Sequence, residues 1–426
     1  MQESPPTPAP LPPPALSTPP AAPDAYAHAD APAPPEKAEP VHLLGQDLEA
    51  LALLLRQLGQ PPYRARQIMQ WVYDRAVCDF ANMSDLPLPL RTELAARISL
   101  LTSSLQNRSV AAEGTFKLLL AWPDGATTET VMIPSEELEA ASEAARGPGA
   151  GRGQGPVGPQ RRTVCLSTQV GCNVGCRFCA TGLDKAERNL TAGQIVEQVL
   201  RVEMVLREGL GAVAGRAVGR QVTNIVFMGM GEPLANYAAV VRSIRLLNAP
   251  WSLNLGARRI TVSTVGLPKQ IRQLAREGLQ ITLALSLHAP TDDLRAELIP
   301  WARGIRIDDL LSACREYFEQ TGREVTFEYC LLDGVNDGLD HARELARLAR
   351  RIRANVNVMM YNPVAGLPFA RPSRNRAVSF LKALRDQNVN AHLRHSRGLE
   401  ADAACGQLRR KTLVPLVAAP TSTQKA

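Results

Sequence analysis

Beyond residue 163 the chain alternates short apolar runs with amphipathic stretches, six times over. The apolar runs are TVCLST (163–168), VTNIVFMG (222–229), RRITVST (258–264), ITLALSL (281–287), VTFEYCLL (325–332) and NVNVMMY (355–361). Between them, TAGQIVEQVLRVEMVL opens on a Thr191…Gln194 capping box, and IDDLLSACREYF and LDHARELARLARRI repeat apolar residues at helical spacing. Nearly all-apolar strands separated by helices predict an α/β fold with a parallel sheet covered by helices. Six units over 163–375 predict a partial (β/α)6 barrel, followed by a C-terminal element at 376–412.

Upstream, residues 42–108 read as a small helical domain. LEALALLLRQLG stops at Gly59 before Pro61 and Pro62, and a second helix begins near Tyr63 with Arg64, Arg66 and Gln67 exposed. That polar face is either an RNA-docking surface or an ordinary solvated one. Residues 109–135 carry two strand-like runs joined at Pro123-Asp124-Gly125, a hairpin extension.

Composition adds what does not fold. Pro and Ala dominate residues 1–41, which predicts a disordered tail, and Gly, Pro and Arg mark 136–162 as a flexible insertion. A second tail is expected at 413–426. Lys plus Arg total 48 against 41 Asp plus Glu, a net charge of +7 that suits a polyanionic partner such as RNA. Eight cysteines in so long a chain, with no signal-peptide pattern and no membrane-length apolar run, point to a reducing cytoplasm. Thiols there serve as ligands or catalysts.

The candidate chemistry is concentrated. Cys172-x₃-Cys176-x₂-Cys179 follows the first strand. Three thiolates can hold three irons of a cubane [4Fe–4S] cluster and leave the fourth open, whereas fully ligated clusters normally use four cysteines. A structural zinc closed by a distant fourth ligand is the alternative. In parallel α/β barrels reactive groups gather at the C-terminal strand ends. Here those ends carry Gly229-Met230-Gly231-Glu232-Pro233, Ser263-Thr264, Ser286-Leu287-His288 and Tyr361-Asn362-Pro363.

Together with Asp402-Ala403-Ala404-Cys405-Gly406-Gln407-Leu408, the cysteine loop, GMGEP and SLHAP resemble the radical S-adenosylmethionine RNA methyltransferases of the RlmN/Cfr type. The likeness spans roughly residues 42–412. It implies a [4Fe–4S] cluster on Cys172, Cys176 and Cys179, and two S-adenosylmethionine molecules per turnover. Adenine C2 and the sulfonium methyl are both electron-poor, so they do not combine by direct displacement. By resemblance, Cys405 first takes the methyl group, and a radical from the second S-adenosylmethionine activates it for addition to C2. Cys165 then attacks Cys405 to release the product and leave a disulfide, and Glu129 abstracts a proton. Contacts to S-adenosylmethionine fall on Gly231, Glu232, Ser263, Ser286, Leu287, His288 and Asn362.

Read without the resemblance, Glu129 is an exposed strand carboxylate, Cys165 and Cys405 are inert buried thiols, and His288 is either a ligand contact or a structural hydrogen-bonder. Cys78, Cys314 and Cys330 match no site of the family; Cys314 and Cys330 read as packing. The chain departs from the family pattern at Leu183–Glu187, where a Gly-Phe pair is usual, in VMMYNP, and at Leu399-Glu400-Ala401. The resemblance implies 23S rRNA and the tRNA adenosine 3′ of the anticodon as substrates, an external low-potential electron donor and a disulfide reductant. It implies a monomer with no membrane. Methylation at adenine C8 is the sister activity. A non-catalytic RNA-binding module with a structural metal is the reading from another class. Cys405→Ala separates the two classes: mass spectrometry of RNA nucleosides after anaerobic reaction shows methylation lost if the chain is an enzyme, while a binding module keeps its RNA function.

Overall fold

A computed structural model of the chain describes residues 40–135, 161–209 and 219–408. Most of the expected N-terminal tail and insertion, and the whole of the expected C-terminal tail, lie outside these residues; Val41, counted in the tail, instead pairs with Ile98.

One sheet of ten strands organises the rest, and its spatial order follows the chain from one edge to the other. The strands are β1 (Ser104–Val110), β2 (Phe116–Ala121), β3 (Thr127–Pro134), β4 (Arg162–Cys165) and β5 (Asn224–Phe227). They continue as β6 (Ile260–Thr264), β7 (Thr282–Ser286), β8 (Val325–Leu331), β9 (Asn355–Met360) and β10 (Ala391–Arg394). Strands β4 to β10 are all parallel. Strands β1 to β3 form an antiparallel meander that joins β4 with Val131 opposite Cys165. The α/β class and all six expected strands are present.

Three expectations need correction. The helical stretch ends at Arg97, not residue 108, because Ser104–Val110 is the outer strand of the meander. The parallel sheet has a seventh strand, Ala391–Arg394, beyond the expected end of the barrel. Both missed strands are edge strands with half-exposed, largely polar sequences, so neither carries an apolar signature. Finally, the central strands are not apolar on both faces. Ile225, Phe227, Leu283, Leu285, Phe327, Val356 and Val358 are fully buried, whereas Asn224, Thr282, Thr326, Glu328 and Asn357 line an open cleft. Alternation along each strand thus gives the sheet a polar inner face.

The N-terminal helices are α1 (Leu48–Gln57), α2 (Tyr63–Met69) and α3 (Leu88–Arg97). Asp47 caps α1 by accepting from Ala50 N–H at 2.8 Å. Of the polar residues expected on α2, Arg66 is exposed, but Arg64 and Gln67 are half-buried and both donate to the Asp85 carbonyl. The buried side chains of these helices run without a break into the barrel core.

Helix α4 (Ala192–Gly209) is the joint. Its capping box is reciprocal: Gln194 N–H donates to Thr191 Oγ1 at 3.2 Å, and Thr191 N–H donates to Gln194 Oε1 at 3.1 Å. Its fully buried Glu197 accepts from Thr102 N–H (2.9 Å), Thr102 Oγ1 (2.8 Å) and Ser103 N–H (2.8 Å), and lies 3.3 Å from His42 Nε2. Burial alone would raise this carboxyl, but the donors from His42, Ser103 and Thr102 outweigh it and lower the group to about 2.

A depressed carboxyl stabilises the fold above its ordinary value of 4.5, and that stability is lost as pH falls toward 2. Glu197→Gln should therefore cost about 3 kcal/mol near neutrality. Urea titrations should show the wild type weakening across this acid range and the variant losing that part of the pH dependence.

Candidate active site

The cysteine loop begins after a two-residue bridge, Gln169–Val170 with Arg188–Asn189, and ends in a 3₁₀ turn at Ala180–Leu183. Within it Cys179 N–H donates to Cys176 O (3.1 Å) and Gly182 N–H to Cys179 O (3.0 Å). The loop is docked from outside by Arg177 N–H donating to Leu298 O at 3.0 Å and by Val174 and Phe178 packing on Leu298 and Ile299. Cys172, Cys176 and Cys179 all face one inner cavity of about 160 Å³.

Their fit to a cluster rests on the donor set. Among the described residues no three His, Cys, Asp or Glu side chains converge tightly enough to hold a single metal ion. Glu232, His288, Glu328, Cys330 and Cys405 also face the cavity, and the first two are committed. Glu232 accepts from Leu234 N–H and Val265 N–H, each at 2.9 Å. His288 Nδ1 accepts from Cys330 N–H at 3.1 Å, and burial with the Arg295 charge nearby lowers the imidazole to about 3. The ring is neutral with its proton on Nε2, so it offers no lone pair to a metal. Three thiols spread around a cavity, with no tight group of ligands among the described residues converging on one point, suit a multi-iron cluster and do not suit a closed zinc site. Burial pushes Cys172 up to about 12 and raises Cys176 well above its ordinary value, so iron must supply the charge that ionises them.

Four more of the expected residues share that cavity with Glu232: Gly231, Ser263, Ser286 and His288. Gly231 has φ +98°, and a Cβ there would stand 2.6 Å from the Gln169 side chain. Ser263 and Ser286 hydroxyls lie 3.1 Å apart on neighbouring strand ends. His288 holds a left-handed backbone, φ +56°, secured through its own carbonyl, which accepts from Asn336 Nδ2 at 2.7 Å. Two expected contacts differ. The Leu287 side chain is buried in the main core and does not line the cavity. Asn362 lines the neighbouring cleft, where its Nδ2 donates to Cys405 O at 3.0 Å.

That second cleft, about 640 Å³, is the open inner face of the sheet. Arg161, Arg259, Arg394 and Arg397 line it, with His392 and His395. It meets the inner cavity at Met228, Glu328, Met359 and Cys405. Cys405 is exposed, so the reading of it as a buried inert thiol is corrected. The surrounding walls still strip water from it and raise its thiol, with Arg394 opposing. Cys165 is buried beside Val131, Met230 and Ala403, and burial first, then the proximity of Cys405, pushes it up to about 12. Both are free thiols.

Glu129 is buried, not exposed, and pairs with Lys117 Nζ at 2.9 Å. The structure does not bring it into the cavity that holds Cys405. It lies in a separate space of about 410 Å³ covered by Glu400, Ala401 and Asp402. Lys117 Nζ also donates to Asp402 O at 2.9 Å, tying this carboxylate to the Cys405 segment.

Sequence reasoning missed Lys117, and it read Cys330 as packing. Cys330 in fact faces the inner cavity near the end of β8. The strand-end rule, applied to this strand as to its neighbours, reaches it. Lys117 has no local signal, because its role exists only through strand pairing.

Comparison with known proteins agrees with this geometry. Residues 41–100 match the ribosomal RNA large subunit methyltransferase N-terminal domain, and residues 166–349 match the radical SAM superfamily. A probable dual-specificity RNA methyltransferase RlmN from Gloeobacter violaceus is 46% identical over 371 residues, 87% of this chain and 96% of that protein. The dual-specificity RNA methyltransferase RlmN of Nitratidesulfovibrio vulgaris is 43% identical over 368 residues, 86% of this chain and 94% of its own length. The crystal structure of a radical SAM methyltransferase from Sphaerobacter thermophilus superposes with a TM-score of 0.77 at 44% identity, covering 87% of this chain and 99% of that one. With both domains matched and the cysteine loop facing an exposed Cys405 across one cavity, the chain belongs to the RlmN family of radical SAM RNA methyltransferases.

Proposed function

We propose that this chain methylates C2 of adenosine in 23S rRNA and in the tRNA position 3′ of the anticodon, through a methyl group carried on Cys405. One observation supports this above the others: Cys405 stands where the inner cavity of the cysteine loop opens into the arginine-lined cleft. A carrier must face its donor and its acceptor in turn, and this position faces both.

Cys172, Cys176 and Cys179 would hold the cluster. When bound, it supplies the electron that makes S-adenosylmethionine a radical source. Ser263, Ser286 and the Gly231–Glu232 backbone would orient S-adenosylmethionine, since the Glu232 carboxylate is already occupied by two backbone N–H groups. The Cys405 thiolate accepts a methyl group, with Arg394 favouring its ionised form. The arginines of the outer cleft neutralise RNA phosphates.

After the Cys405 methylene has bonded to C2, the adduct must give up its unpaired electron, which would return to the cluster, and Glu129 takes the C2 proton to restore the ring. The Cys165 thiolate then attacks the Cys405 sulfur. A sulfur–sulfur bond forms, the sulfur–carbon bond breaks, and its electron pair goes to the methylene carbon, which takes up a proton to become methyl. An external thiol reductant returns the disulfide to two thiols, and an external low-potential donor supplies the electron. Two S-adenosylmethionine molecules are used, one for the methyl group and one for the radical. For Glu129 to reach the base, the covering segment at Glu400–Asp402 must shift and Lys117 must release it. No helix among the described residues is long and apolar enough to cross a membrane, and the enzyme acts as a monomer in this reading.

Cys165→Ala should trap the covalent protein–RNA adduct as a slow band on denaturing gels after anaerobic reaction. Wild-type activity without such a band in the variant would overturn the roles given to Cys165 and Cys405. Nucleoside mass spectrometry on separate rRNA and tRNA substrates reads the position and the target.

Because the Cys165 thiol is held near 12, its reactive fraction climbs with pH throughout the neutral range. Adduct resolution in the wild type, followed by rapid quench, should accelerate about tenfold per pH unit between about pH 7 and 9.

A further inference from the structure

Arg295 is buried to 1% exposure on a short helix, Asp292–Leu298, that packs beneath the cysteine loop. Its Nη2 donates to the carbonyl of Val265, a residue of the inner cavity wall. Its Nε and Nη1 have no hydrogen-bond partner among the described residues. A buried guanidinium left this way is costly unless something of opposite charge stands near it.

The acids around it act on its charge but give it no hydrogen bond. Asp292, three residues earlier, accepts from Ile307 N–H at 2.7 Å and sits 3.9 Å from Arg306 at the surface. Glu232 gives both oxygens to backbone N–H groups. His288 is neutral. The remaining group close enough to exchange charge effects with Arg295 is Cys176. Three thiolates on a dicationic cubane leave one net negative charge, and reduction adds a second. In a medium of low polarity, a fixed cation nearby favours the more negative state.

We propose that Arg295 is the buried counter-charge of the cluster, a positioning residue that stands behind the cavity wall at Val265 and whose fixed charge makes the cluster easier to reduce. This rests on the cluster-binding reading of Cys172, Cys176 and Cys179. Arg295 does not itself line the inner cavity, so its charge acts from behind the wall at Val265 and not by direct contact.

The test uses the full chain reconstituted without oxygen, with iron and sulfide counted per chain and the cluster titrated by redox potential under electron paramagnetic resonance. Arg295→Met should keep its irons but show a reduced-to-oxidised ratio about tenfold lower at a fixed poise, about 59 mV for a one-electron couple. Arg295→Lys, which keeps the charge, should stay within about threefold of wild type on the same scale. If the Met variant does not fold, Arg295→Gln should show the same negative shift. An iron-replete neutral variant with the wild-type midpoint overturns the proposal, as does a Lys variant shifted as far as the Met one. Weakened S-adenosylmethionine binding at an unchanged midpoint also overturns it, assigning the N–H groups to the ligand carboxylate. A wild-type chain that takes up no four-iron cluster refutes the underlying reading instead, and the iron count tells the two failures apart.

Discussion

The site depends on a seam between two segments more than two hundred residues apart. Ala180 N–H donates to Gly406 O at 2.8 Å, and Thr181 Oγ1 donates to Leu408 O at 2.6 Å. These bonds fix the Cys405 segment against the turn that ends the cysteine loop. Without them, the Cys405 thiol would have no defined place relative to Cys172, Cys176 and Cys179. The bonds are buried or nearly so, and a lost partner there leaves a polar group without compensation.

The sheet prepares both sides of this seam. Parallel strands deliver their C-terminal ends to one rim, which brings Ser263, Ser286 and His288 together from separate strands. The same strands alternate polar and apolar residues, so the inner face stays wet and open while the helical face is packed. The antiparallel meander adds Lys117 and Glu129 at the side, under the Cys405 segment. One loop therefore roofs one cavity and bounds two others.

Much of this was legible in the sequence, and the reasons differ by feature. The Thr191–Gln194 box predicts a helix start because its two hydrogen bonds are local, and both are present. The strand-end motifs were legible because a parallel sheet has only one place to put them. Glu129 was misjudged on its residue type alone; its burial comes from Lys117 on the neighbouring strand. Leu287 was assigned to the ligand with its neighbours Ser286 and His288, but strand alternation turns it to the core. The seventh parallel strand was invisible, since an edge strand facing a polar cleft has no need of an apolar run. In each case the sequence speaks for contacts within a few residues and is silent where pairing at long range decides.

Four carbonyls of the Cys405 segment are gripped from outside, beside the packed side chains of Ala401, Ala403 and Leu408. Lys117 takes the carbonyl of Asp402, Asn362 that of Cys405, Ala180 that of Gly406 and Thr181 that of Leu408. Every peptide unit offers the same carbonyl whatever side chain it bears. These four carbonyls hold the thiol's station whatever side chains those positions bear, whereas Glu400 and Ala401 upstream are held through theirs, Glu400 by accepting from Ala112 N–H and Ala401 by packing.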